Sequence, residues 1–162
     1  MKTLVLGLGN YILSDDSVGL CVAQELRKVL DQEEITITEA CVGGLRLLDL
    51  MVGYDKAIII DAIQTRGGKV GQVYRLNSNA FNTTRRTTST HNVNLTSALK
   101  IGRQLGLVLP QKIIVFAIEV ADVNTFSEEC TPEVKEAIPE CVGIVAKELN
   151  TYACTAKNLS ML

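Results

Sequence analysis

The chain has 162 residues, a net charge of −2 and a hydrophobic fraction of 47%, values that predict one soluble globular domain. Its 16 basic residues show no patch, Trp is absent and aromatic residues make up 4%, so a nucleic-acid-binding surface is not expected. No apolar run approaches transmembrane length, and the amino terminus lacks the features of a signal peptide. We therefore expect a cytoplasmic protein without membrane insertion.

The cysteines predict reduced thiols rather than a disulfide framework or a zinc cluster. Their number, five, is odd, their spacing is wide and no Cys-x-x-Cys pair occurs. Free thiols, several of them buried as small apolar side chains, are typical of the reducing cytoplasm. None belongs to a nucleophile motif. The five residues are Cys21, Cys41, Cys130, Cys141 and Cys154.

The first half of the chain alternates strand and helix patterns. In chain order we predict a strand at 2–6, a helix at 17–31, a strand at 35–39, a short helix at 45–50 and a strand at 56–61. The first helix places Val18, Val22, Leu26 and Val29 on one face. The run at 56–61 is almost continuously apolar, as expected of a strand buried on both faces.

The second half continues the alternation. We predict a strand at 70–76, a polar loop at 77–90, a helix at 91–106, a strand at 112–120 and a helix that Thr131 caps and Pro132 begins. The helix at 91–106 has an apolar face of Leu95, Ala98, Leu99, Gly102 and Leu105. Residues 1–150 form the predicted domain, and residues 151–162 a tail. This order predicts an α/β three-layer sandwich, with a mainly parallel central sheet of about five strands and helices on both faces.

Three side chains that can bind metals, those of Asp16, Asp61 and His91, are predicted to meet at the carboxyl edge of the sheet, where such folds bind ligands. Asp15 and Asp16 follow the glycine-rich turn after the first strand, Asp61 ends another strand, and His91, the single His, starts a helix. Adjacent carboxylates repel unless a cation lies nearby. Two carboxylates and an imidazole suit nickel, zinc, cobalt or iron, without selecting one. Helix caps and surface positions explain the same residues equally well, so spacing alone leaves both explanations open.

Two common active-site motifs are absent from the sequence. The Gly7-Leu8-Gly9 turn lacks the third glycine of a dinucleotide-binding fingerprint, because Ile12 occupies that place. No Gly-x-Ser-x-Gly occurs, which excludes the nucleophile elbow of α/β-hydrolases. Glu119, on the last strand, could point to the same edge as the acids or cap a helix or loop.

Four segments, taken together and in this order, resemble the hydrogenase maturation proteases, the endopeptidases that trim the large subunit of nickel–iron hydrogenases. The segments are Gly7-Leu8-Gly9-Asn10 through Ser14-Asp15-Asp16 to Gly19; Gly43-Gly44 with Leu47-Leu48-Asp49-Leu50 and Ile58-Ile59-Ile60-Asp61-Ala62; Ser89-Thr90-His91; and Ile118-Glu119 with Thr131-Pro132-Glu133-Val134. The resemblance covers residues 1–149.

The resemblance implies cleavage of a short C-terminal extension from the precursor of a hydrogenase large subunit after nickel has entered it. The family's metal-contacting residues correspond to Asp16, Asp61 and His91, which we take as catalytic and metal-binding. Nickel is expected to arrive with the precursor, although other divalent ions could occupy the site, and the protease is expected to be a monomer. Whether the metal also polarises the scissile carbonyl or activates water stays open. The chain departs from the family at Asp16, where Glu is usual, and at Val120, where Pro is frequent.

Two alternative functions fit the same fold. Receiver-like phosphoacceptor domains also pair acids after the first strand, but they need a Lys at the end of the last central strand. Here that place is Ile118-Glu119-Val120. A metal-binding α/β domain without catalysis is the other alternative, and metal titration with a cleavage assay distinguishes it.

Overall fold

The structure, a computed structural model, describes residues 1–30, 33–78 and 95–159, and in the last helix the side chains up to residue 150. Its elements are β1 (Thr3–Leu8), a 3₁₀ turn (Ser14–Ser17), α1 (Val18–Val29), β2 (Ile35–Ala40), α2 (Arg46–Met51), β3 (Lys56–Ile63), β4 (Val73–Asn77), α3 (Leu95–Gln104), β5 (Lys112–Glu119) and α4 (Pro132–Leu159). The predicted alternation of strands and helices is confirmed over these residues.

The described strands form one five-stranded sheet in the order β2-β1-β3-β5-β4. The first four are parallel, and β4 pairs antiparallel with β5 at one edge. All eight residues of the central strand β3 are buried. This burial on both faces is why its sequence is almost continuously apolar rather than alternating.

Helices cover both faces of the sheet, which confirms the predicted three-layer sandwich. On one face, α1 and α4 pack over β-strand residues such as Val5, Ile58 and Phe116. On the other, α2 and α3 enclose a second core that includes Leu6 and Ile59. Side chains at alternate positions of each parallel strand therefore pack into two separate cores, one on each face of the sheet.

Two predicted core positions are wrong. Val29 is 62% exposed because α1 ends at this residue, so the apolar pattern outlasts the contact with the sheet. Leu105 is 71% exposed because α3 ends at Gln104 and the chain turns at Gly106, which has a φ of 75°. The apolar pattern thus runs to the last residue of α1 and one residue past the end of α3.

The last helix is longer than the apolar pattern predicts. α4 begins at Pro132, as expected, and continues through residues 151–159, which the sequence analysis placed in a tail. Its apolar face, at positions such as Val134, Cys141 and Val145, is buried against the sheet and α1. Among the described residues, no helix has the length and apolar character needed to cross a membrane.

Candidate active site

The two predicted acids lie beside the point where the sheet's strand order reverses. From β1 the chain passes through α1 to β2 on one side, while β3 lies on the other side. The carboxyl ends of β1 and β3 therefore border the crevice in which open α/β sheets bind ligands. Asp16 belongs to the 3₁₀ turn that follows β1, and this turn packs against β3, which carries Asp61.

Close backbone approaches bring the 3₁₀ turn down onto the strands. A Cβ at Gly19 would lie 2.3 Å from the carbonyl oxygen of Leu8 and 2.4 Å from that of Ile60. A Cβ at Gly9 would lie 2.0 Å from the carbonyl oxygen of Asp16. Only glycine fits such contacts, so these two residues set how near the Asp16 turn comes to β1 and β3.

Asp15 is fully buried and serves as a structural clamp. Its carboxylate accepts hydrogen bonds from the backbone N–H groups of Ala121 and Asp122, each at 3.0 Å. The backbone N–H of Thr131 donates to it at 2.6 Å, and the Thr131 hydroxyl donates at 2.9 Å. These donors, rather than a cation, offset the charge of Asp15 and join the 3₁₀ turn to the segment between β5 and α4.

Asp16 has a fixed backbone and a buried side chain. Its N–H donates to the carbonyl of Leu13 at 3.0 Å, and its own carbonyl accepts from Asn10 at 3.3 Å. The residue is 4% exposed. Because both peptide groups are bonded, the side chain starts from one defined backbone position beside the crevice.

Asp61 lies on β3, also at the carboxyl half of the strand. It is fully buried, and its Oδ1 accepts the N–H of Ala62 at 2.8 Å. The strand continues to Ile63, so the expectation that Asp61 ends it is wrong by two residues. The structure thus brings Asp16 and Asp61 to one edge.

The third predicted ligand, His91, lies outside the described residues. Among those residues, no group of three or more His, Cys, Asp or Glu side chains could hold a metal ion. Asp16 and Asp61 therefore supply two carboxylates, and a metal at this edge requires a further ligand from elsewhere.

The edge also carries residues that the sequence analysis did not single out. Cys41 directly follows β2, and burial together with the charges of Asp16 and Glu39 raises the pKa of its thiol. Glu39 itself pairs with Arg27 and accepts from Gln24 at 3.1 Å. The rule that placed Asp61, the carboxyl end of a parallel strand, could have found this pair of positions too.

Glu119 has a structural partner at the end of β5. Its Oε1 accepts the N–H of Thr65 at 2.7 Å, and its Oε2 accepts the Thr65 hydroxyl at 2.8 Å. Of the roles left open for Glu119, these contacts show the loop cap. A receiver-like phosphoacceptor would need a Lys at this end of β5, where the buried carboxylate of Glu119 would instead repel a phosphoryl group.

A family model described as hydrogenase maturation protease, HycI, matches residues 20–148. Two curated proteins are similar to the chain. The hydrogenase expression/formation protein HupD of Bradyrhizobium diazoefficiens is 22% identical over 98% of the chain and 83% of its own length. The hydrogenase 2 maturation protease of Escherichia coli is 32% identical over 44% of each protein.

Solved structures share the fold over nearly the whole chain. The hydrogenase maturating endopeptidase HybD from Escherichia coli superposes with a TM-score of 0.81 at 25% identity, covering 94% of each chain. The [NiFe] hydrogenase maturation protease HybD from Thermococcus kodakarensis gives a TM-score of 0.69 at 24% identity, covering 91% of this chain and 98% of that one. The three-layer arrangement built above is thus the arrangement of these proteins.

Proposed function

This chain belongs to the hydrogenase maturation protease family, and from that premise we propose that it removes the C-terminal extension from the nickel-loaded precursor of a nickel–iron hydrogenase large subunit. Family membership makes the chain a peptide-bond hydrolase, since the proteins that it resembles are named proteases and endopeptidases. Its substrate is then a hydrogenase precursor.

One observation carries the proposal. Asp16 and Asp61 are both buried at the carboxyl edge where the strand order reverses, and backbone contacts fix the turn that bears Asp16. Two carboxylates at one edge attract a cation that is brought to them. Asp15 accepts hydrogen bonds from four donor groups and so holds the turn to the segment between β5 and α4.

In this proposal nickel is part of the substrate. Held by thiolates of the precursor, the ion meets Asp16 and Asp61 from this chain, with His91 as the third ligand. Carboxylate and imidazole are accepted by nickel and by other divalent first-row ions. The metal thereby aligns the scissile peptide bond with the site, because one end of the precursor is held at a fixed point.

Substrate-borne nickel would also give the enzyme a means of proofreading. A precursor without metal offers no positive charge to the two carboxylates, so it docks weakly and stays uncut. The shorter Asp16, in place of the family's usual Glu, keeps the charge but draws it back by one methylene. We therefore expect Asp16→Glu to preserve cleavage.

The test is a reciprocal mixing experiment. Metal-free protease is mixed with nickel-loaded precursor, and metal-treated protease with metal-free precursor, and the loss of the extension is followed by mass spectrometry. The proposal predicts cleavage in the first mixture alone. Cleavage in the second mixture alone would mean that the ion resides in the protease, and the recognition role would be wrong.

A variant of the protease tests whether His91 belongs to the site. His91→Ala removes the imidazole and should abolish cleavage while the circular dichroism spectrum and the melting temperature stay those of the parent. Full cleavage by a folded His91→Ala protein would remove His91 from the site. Ser89→Ala, two residues earlier, is the matched control for a change in the same segment.

A further inference from the structure

Two free cysteines contact the same hydroxyl group, at a place that the proposed cleavage does not use. Ser17 Oγ lies 3.4 Å from Cys130 Sγ and 3.9 Å from Cys21 Sγ. Cys21 is on the first turn of α1, whereas Cys130 comes just before α4, 109 positions later in the numbering. Both are free thiols, and the Ser17 hydroxyl lies within hydrogen-bond distance of each.

The two thiols differ in access to solvent. Cys21 is half-buried and lines a surface cavity of about 530 Å³ between α1 and α4, together with Gln24, Lys135 and Pro139. Cys130 is 8% exposed, and its Sγ lies 3.8 Å from the carbonyl oxygen of Ser14. A small solute in the cavity therefore contacts Cys21, whereas Cys130 is buried and does not line the cavity.

Hydrogen bonding shifts the pKa values of the two thiols in opposite directions. The hydrogen bond from Cys130 lowers the pKa of Cys21 to about 6, with help from Ser17 and against the effects of burial and Glu25. The same hydrogen bond and burial raise the pKa of Cys130. At neutral pH the accessible sulfur is then mainly the thiolate, which is the nucleophilic form, and its neighbour is mainly the thiol.

We propose that Cys21 and Cys130 form a peroxide-reactive dithiol that closes to a disulfide between α1 and the start of α4. In the first step the Cys21 thiolate attacks hydrogen peroxide, breaks the O–O bond, becomes the sulfenic acid and releases hydroxide. In the second step the Cys130 sulfur attacks the Cys21 sulfur and water leaves. The sum is two thiols and one peroxide giving one disulfide and two waters, so the thiols are oxidised and the peroxide is reduced.

The disulfide would join segments that Asp15 already holds together. Cys130 directly precedes Thr131, whose N–H and hydroxyl bind the Asp15 carboxylate. Ser17 ends the 3₁₀ turn that carries Asp15 and Asp16. A covalent link here restrains the unfolded chain over a long loop, so the oxidised protein should melt at a higher temperature than the reduced one.

The experiment compares the reactivity of Cys21 with that of Cys41. Exposure alone predicts that Cys41 reacts faster, whereas thiolate character predicts that Cys21 does. Cys41 is exposed, but burial and the charges of Asp16 and Glu39 raise the pKa of its thiol. The native full chain at pH 7 receives limiting iodoacetamide, and the labelled residues are quantified by peptide mass spectrometry. We expect Cys21 to react at least about tenfold faster than Cys41.

A second arm follows the disulfide. The native chain is treated with hydrogen peroxide, the remaining thiols are blocked and the digest is searched for linked peptides. The expected product is a Cys21–Cys130 link that lowers the mass by two hydrogens and disappears on reduction with dithiothreitol. The Cys41→Ser variant should form the same link, and Cys130→Ser should instead accumulate Cys21 sulfenic acid, trapped by dimedone.

The wild-type measurements need no variant to fold, so they decide the proposal alone. If Cys41 reacts first, or if peroxide yields no Cys21–Cys130 link, the proposal is overturned. The result is independent of the proposed peptidase function, which the reciprocal mixing experiment tests separately.

Discussion

The backbone N–H of Thr131 donates a hydrogen bond of 2.6 Å to the carboxylate of Asp15, across 116 positions of the sequence. With the Thr131 hydroxyl and the two N–H groups at 121 and 122, the fully buried carboxylate has four donor groups. The neighbouring acid, Asp16, is buried in the same turn. The structure therefore gives a stabilising role to Asp15, and a role for Asp16 in the site is part of the proposal.

Asp15→Ala should lower the free energy of unfolding by about 3–5 kcal/mol, because it leaves several buried donors without an acceptor. Urea denaturation with linear extrapolation measures the loss. Thr131→Val is the matched control: it removes the hydroxyl but keeps the backbone donor, so its cost should be about 1 kcal/mol. Equal costs for the two variants would contradict the clamp.

Asp16→Asn keeps the size of the side chain and removes its charge. If Asp16 binds the nickel of the precursor, cleavage should fall by at least about tenfold to a hundredfold, as for the loss of a group that supports metal binding. Asp16→Glu should cleave as well as the parent or better. A working Asn variant beside an inactive Glu variant would show that charge is not what the position supplies.

The sheet could be predicted from the sequence because strands that are buried on both faces consist mainly of apolar residues. The central strand β3 is covered on both faces, so the run from Lys56 onward is almost continuously apolar. The two acids were placed correctly at one edge by the rule that parallel strands meet ligands at their carboxyl ends. Helix ends were less predictable, since Val29 and Leu105 continue an apolar pattern past the last contact with the core.

The roles of individual acids could not be predicted from spacing. Nothing in the order of residues links Asp15 to Thr131, because the contact arises only when the segment after β5 folds back over the 3₁₀ turn. The same folding places Cys130 beside Cys21. Such contacts depend on tertiary structure, whereas sequence periodicity reports only local structure and burial.

Gly19→Ala should destabilise the protein, because the new methyl group would lie 2.3 Å and 2.4 Å from two strand carbonyl oxygens. Forcing the backbones of α1, β1 and β3 apart should cost about 1–3 kcal/mol or more. Gly143→Ala, in α4, is the control, since nothing lies within 4 Å of its added Cβ and alanine favours a helix by about 1 kcal/mol. Thermal melts should therefore shift in opposite directions.

Lys56 predicts a distinctive pH dependence of stability. Its side chain is 3% exposed at the start of β3, with its Nζ 3.7 Å from the carboxylate of Glu148. Burial lowers the pKa of Lys56 from 10.5 to about 8, and the charges of Lys112 and Arg75 act in the same direction, whereas Glu148 opposes them. Between these two pH values the folded protein binds fewer protons than the unfolded chain, so the free energy of unfolding should rise with pH.

Lys56→Met should abolish this rise and stabilise the protein at pH 7 by up to roughly 2–3 kcal/mol, since it removes a charge that is costly to bury, while Glu148 keeps its pair with Arg75. Urea denaturation at intervals from pH 7 to 10.5 gives the free energy of unfolding of the variant and of the parent, and the difference between these two values is followed with pH. Lys100→Met removes the same charge from an exposed side chain and should leave the difference flat. A flat difference for Lys56→Met as well would mean that the buried ammonium carries no penalty in the folded protein.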